Sequence, residues 1–98
     1  MFKIDNYIYL DNYIIYQNKS RNNQLVFKFP NGYGASVIQI YDGLFEIAVL
    51  TFPPEGSWVI CYDTPITDNT VGYLSEPEVY ETLEQIYNLK RELTNENM

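Results

Sequence analysis

Leu25-Val26-Phe27-Lys28-Phe29-Pro30-Asn31-Gly32-Tyr33-Gly34-Ala35-Ser36-Val37-Ile38-Gln39-Ile40-Tyr41-Asp42-Gly43-Leu44-Phe45-Glu46-Ile47-Ala48-Val49 is a set of apolar runs separated by two short turn signals. Asn31-Gly32 and Asp42-Gly43 both suit a two-residue hairpin loop, because a type I′ turn needs positive φ at both central positions. With Asn31-Gly32 as the turn, Phe29 faces Gly34, Phe27 faces Ser36 and Leu25 faces Ile38. With Asp42-Gly43 as the next, Ile40 faces Phe45, Ile38 faces Ile47 and Ser36 faces Val49. Side chains alternate along a strand, so one register assigns a whole face. The two turns together put Leu25, Phe27, Phe29, Ile38, Ile40, Phe45, Ile47 and Val49 on one side. The other side carries Lys28, Gln39 and Glu46, with Val26, Val37, Ala48, Leu50, Val59 and Cys61 among them, and is only half polar.

Outward from this core the pattern continues. If Pro53-Pro54-Glu55-Gly56 closes a third hairpin, Ile60 faces Val49, Tyr62 faces Ile47, and Trp58 joins the apolar face. Ser75 followed by Glu78 reads as a capping box, with Glu76 and Pro77 suited to a first helical turn. Val79, Leu83, Ile86, Leu89 and Leu93 then recur at helical spacing, which predicts a helix over 75–93 laid on the sheet. Lys90 and Arg91 sit where the helix dipole favours cations. Tyr7 to Tyr16 reads as a further hairpin about Asp11-Asn12, followed by a polar loop to Asn23. The expected fold class is α+β: an antiparallel β-meander of about four to six strands with one C-terminal helix packed on one face. The 98 residues form a single domain, divided into 1–23, 24–74 and 75–93.

Composition narrows the chemistry. The chain has no histidine, so the commonest general base and the commonest zinc ligand are both missing. Cys61 is the only cysteine, which rules out an intrachain disulfide and points to a reducing cytoplasm. The first residues lack the basic and apolar regions of a signal peptide, and no apolar run is long enough to span a bilayer. The expectation is a non-catalytic protein without cofactor or metal.

Charge is the most informative feature. The net charge is −7, and no Lys or Arg occurs from Phe29 to Leu89, a span that holds nine acids. Such a field repels nucleic acid and attracts basic surfaces. The alternative is a solvated surface that only keeps a small protein soluble. Asp63 and Asp68, with Glu76, Glu78, Glu81 and Glu84 of the helix, are the candidate partner-binding residues. The oxygen-rich loop from Asp63 to Asn69 lacks the spacing and glycine of an EF-hand, so turn chemistry explains it better than a cation. Gly32 and Gly34 are not a phosphate loop, since no lysine and no helix follow. Ser36 has no histidine base, and Cys61 has no basic neighbour in sequence.

The segments Phe27–Ile38, Gly43–Leu50, Cys61–Asp68 and Val71–Leu74, with the acidic helix, resemble a family of small uncharacterised proteins encoded by bacteriophages and prophages of Gram-positive bacteria. The resemblance leaves out the tyrosine-rich N-terminus. It implies a phage-type protein acting in the host cytoplasm. One expected role is to bind and inhibit a host nucleic-acid-handling or defence protein through the acidic surface, in the manner of an anti-CRISPR protein or DNA mimic. Its partner would be a basic host protein surface such as a nucleic-acid-binding enzyme, with no direct nucleic acid and no membrane. The other expected role is a small accessory or structural phage protein, either monomeric or a homo-oligomer, whose acidity is only solubilising.

Overall fold

The computed structural model describes residues 5–54, 56–61, 64, 66 and 71–90. A 3-10 helix (Asp5–Tyr13) is followed by β1 (Ile14–Asn18), β2 (Gln24–Lys28), β3 (Tyr33–Tyr41), β4 (Leu44–Thr51), β5 (Val59–Ile60), β6 (Val71–Leu74) and helix α1 (Glu76–Tyr87). All strand pairs are antiparallel, in the order β1-β2-β3-β4-β5, and β6 also pairs with β4. The architecture is the expected α+β one, with α1 packed on one face of the sheet. The core between them is Leu25, Phe27, Phe29, Ala35, Val37, Phe45, Ile47 and Val49 from the strands, and Val79, Tyr80, Leu83 and Ile86 from α1, closed by Leu10.

The register of β3 corrects the expected one. Phe27 pairs with Ala35 and Leu25 with Val37, one residue away from a two-residue loop at Asn31-Gly32. Pro30 is the cause. It takes the second position of a type I turn, where its fixed φ fits, and Gly32 N–H closes that turn on the Phe29 carbonyl at 3.1 Å. Gly32 then adopts φ 92°, and the loop has three residues, Pro30 to Gly32. At the other end of β3, Tyr41 does pair with Leu44, but a bulge before it restores the same one-residue offset, so that Val37 pairs with Ile47. The two offsets cancel between β2 and β4, which keep their expected faces. Only β3 is turned over: Ala35 and Val37 enter the core, and Ile38 faces the opposite side with Ser36.

Further expectations are corrected at the ends. Ile60 pairs with Leu50 rather than Val49, which puts Cys61 against the core and Trp58 on the open face. The expected partner of Ile47 there, Tyr62, lies outside the described residues. The N-terminal hairpin is absent. Tyr7, Leu10 and Tyr13, three residues apart, form one face of the 3-10 helix, in which side chains at that spacing eclipse. The polypeptide after it pairs with β2 as an edge strand instead.

Helix α1 ends at Tyr87, not at position 93. Leu89 packs on the core just past that end, and Leu93 and Arg91 lie outside the described residues. No basic side chain stands in the last turn. A turn residue closes it instead. The Asn31 amide nitrogen donates to the carbonyls of Ile86 at 2.8 Å, Tyr87 at 3.1 Å and Leu89 at 2.9 Å. The last carbonyls of a helix have no partner within it; here Ile86 O also accepts the Leu89 N–H at 3.1 Å, and Leu89 lies two residues past the helix. At the other end, the Ser75 N–H and hydroxyl both reach the Glu78 carboxylate, at 2.9 and 3.1 Å.

Candidate functional site

The helix acids do not form one uniform surface. Glu78 is engaged by Ser75, first by its backbone N–H and then by its hydroxyl, and these bonds hold its carboxyl below the usual value. Glu84 is half-buried and accepts a 2.7 Å hydrogen bond from the Tyr9 hydroxyl. That bond, then burial, pushes the Tyr9 phenol up to about 12. Glu84 is therefore part of the packing of the N-terminal helix and not a neutral surface position. Glu76 and Glu81 are exposed. Asp63 and Asp68 lie outside the described residues.

The N-terminal helix and α1 are joined reciprocally. Tyr9 donates to Glu84, and Tyr80 donates to Asp11 at 2.8 Å, so each element supplies one phenol and one carboxylate. Tyr7 stacks on Tyr80 at 5.7 Å, and Tyr9 and Tyr13 meet the Tyr87 ring at 5.6 and 5.5 Å. Leaving two carboxylates in water would have been the simpler arrangement for an acidic protein. Here phenols take the place of the missing cations.

A different group of exposed residues gathers at the end where α1 begins. Asp42, in the β3–β4 turn, and Glu76, in the first helical turn, line one open groove of about 370 Å³, with Gln17, Asn23, Gln39 and Phe45. Tyr41 directly precedes Asp42 in sequence, and Tyr73 lies three residues before Glu76. Tyr41 and Tyr73 stack on one another at 6.1 Å, although they are 61% and 68% accessible to solvent. Tyr73 holds φ 60°, a left-handed conformation that is an outlier for a bulky residue. The sheet thus spends backbone strain at an exposed aromatic that contributes nothing to the core.

Sequence reasoning counted Asp42 among the acids but did not pair it with Glu76, and it passed over Tyr41 and Tyr73. The only signal available was that Tyr41-Asp42 and Tyr73 with Glu76 both combine an aromatic and an acid next to a structural break.

The open face of the sheet has its own hollow, of about 180 Å³, floored by Ile38, Leu50 and Ile60 and bounded by Trp58, Gln24 and Glu46. Gln24 is buried there and donates to the Ser36 hydroxyl at 2.9 Å. Trp58 leans on Tyr16 at 5.3 Å. Among the described residues, no group of three His, Cys, Asp or Glu side chains could hold a metal ion, and no helix is long and apolar enough to cross a membrane.

No protein-family model matches the chain, and neither a curated protein nor a solved structure matches it.

Proposed function

We propose that this is a non-catalytic binding protein of bacteriophage type. In this reading it inhibits a host nucleic-acid-handling or defence protein by occupying that protein's basic surface. The observation that carries the reading is the exposed Tyr41–Tyr73 stack, with Asp42 next after Tyr41 in the chain and Glu76 three residues after Tyr73. Exposed aromatics and carboxylates in one region of the surface suit lysine and arginine side chains, which take cation–π contact from the rings and ion pairs from the acids. Backbone strain at an exposed residue points the same way, since strain gathers where a side chain must be presented. The one-sign charge from Phe29 to Leu89 adds long-range attraction for a basic partner and repulsion of nucleic acid. Glu81 is a further exposed acid of α1, whereas Glu78 and Glu84 are engaged by Ser75 and Tyr9.

The test is affinity capture from a lysate of Gram-positive cells with the parent chain, Asp42→Lys/Glu76→Lys, and Tyr41→Ala, each checked for folding by circular dichroism. The expected result is a nucleic-acid-binding protein held by the parent at low salt. It should be released by added DNA and by salt, and be weakened about tenfold or more by either variant. Capture that is indifferent to charge reversal and salt refutes the reading. A stable homo-oligomer that leaves Asp42 and Glu76 exposed supports the accessory or structural role instead.

A further inference from the structure

Asn31 does two things at once in this fold, and its neighbour adds a third. Its amide nitrogen donates to the last two carbonyls of α1 and to that of Leu89 just beyond, while its carbonyl oxygen accepts the Tyr33 N–H at 2.9 Å. Its neighbour is glycine, the residue that leaves the following backbone nitrogen least shielded. In such a pair the glycine nitrogen can attack the asparagine Cγ. The new N–Cγ bond forms as the Cγ–Nδ2 bond breaks, and ammonia leaves with the glycine amide proton. The succinimide ring then takes up one water at either carbonyl and opens to aspartate or isoaspartate. No oxidant or reductant takes part.

The native geometry keeps the reacting groups from meeting. Gly32 N–H is directed at the Phe29 carbonyl, 3.1 Å away, and the Asn31 side chain is held on the helix end. Bringing Cγ onto the Gly32 nitrogen requires the side chain to leave the carbonyls of Ile86, Tyr87 and Leu89 at the end of α1. That means parting the β2–β3 turn from the end of α1.

We infer that Asn31 is a conformationally gated deamidation site, protected while the turn and helix are docked and reactive when they part. Conversion is also one-way for the fold. A carboxylate has no hydrogen to donate, so at position 31 it would face the carbonyls of Ile86, Tyr87 and Leu89 as acceptor against acceptor. It would also place negative charge at the negative end of the helix dipole. Isoaspartate would in addition lengthen the main chain of a three-residue loop that sets the register of β3. The molecule therefore carries a chemical record of having opened.

The experiment holds the parent chain in mildly alkaline buffer, native and in guanidinium chloride, and follows the Asn31 peptide by mass and by isoaspartate content. Conversion should be slower by roughly tenfold or more in the native state, because it waits on local opening. Converted chains, separated by charge, should show a lower denaturation midpoint, and Asn31→Asp should reproduce the shift or fail to fold. Equal conversion rates in the two conditions overturn the gate. Converted chains and an Asn31→Asp protein as stable as the parent overturn the one-way consequence.

Discussion

Gly34 has no room for a side chain. A Cβ there would collide with the Phe27 carbonyl oxygen and stand 2.6 Å from the Phe52 ring. That ring lies against the strand with Lys28 Nζ 5.2 Å from its centre. Gly34→Ala must displace both the Phe27 carbonyl and the Phe52 ring, and the expected loss is about 3 kcal/mol, read as a lower urea midpoint. A midpoint equal to the parent's would mean that the β2 backbone and the Phe52 ring both give way freely. The need for this glycine was invisible in the sequence, because Phe52 is far away along the chain and arrives only through the β3–β4 pairing. Gly32 was legible as a turn glycine, and its positive φ bears this out. Its neighbour Pro30 was the residue to weigh: a proline before Asn-Gly selects a type I turn and a longer loop over the tighter I′ loop. That single choice decided which of Val37 and Ile38 entered the core.

At the scale of elements, the phenol–carboxylate clasp between the N-terminal helix and α1 makes a signed pH prediction. Tyr9 ionises at about 12 in the fold against an ordinary 10.0, because its proton is held by Glu84. A group whose value is raised by folding contributes fully below its unfolded value, and that contribution declines as pH climbs from there to the folded value. Tyr9→Phe should thus be less stable than the parent at neutral pH, and the gap between their urea midpoints should narrow between pH 10 and about 12. A gap that stays constant across that range would remove the Tyr9–Glu84 bond from the account. Helix α1 and its Ser75–Glu78 start were readable because caps and apolar spacing are local. The N-terminal helix was not, because alternating Tyr and Ile match strand propensity. What overrode it was burial of Leu10 and the stacking of Tyr7 on Tyr80, both contacts with a helix that comes much later in the chain.

For the molecule as a whole, the charge asymmetry was plain from the sequence, but its division of labour was not. Helical spacing alone does not say that Glu84 meets a tyrosine from the N-terminus, or that Asp42 and Glu76 share a groove. Those are facts of how the turn and the helix are juxtaposed. Trp58 is the only tryptophan, and it sits with Tyr16 on the sheet face opposite α1. Its emission is accordingly a private signal of the open face, while ellipticity in the far ultraviolet reports the helix. The Asn31 cap bonds the β2–β3 turn to the helix end, which makes one cooperative unit of the two layers. The two optical transitions should superimpose on a urea axis. Ellipticity lost while Trp58 emission stays unmoved would reveal a sheet that outlives its helix. Excited tyrosines, ten in the chain, can pass energy to this single indole. The colour of the light the protein gives back will therefore tell whether its two layers are still together.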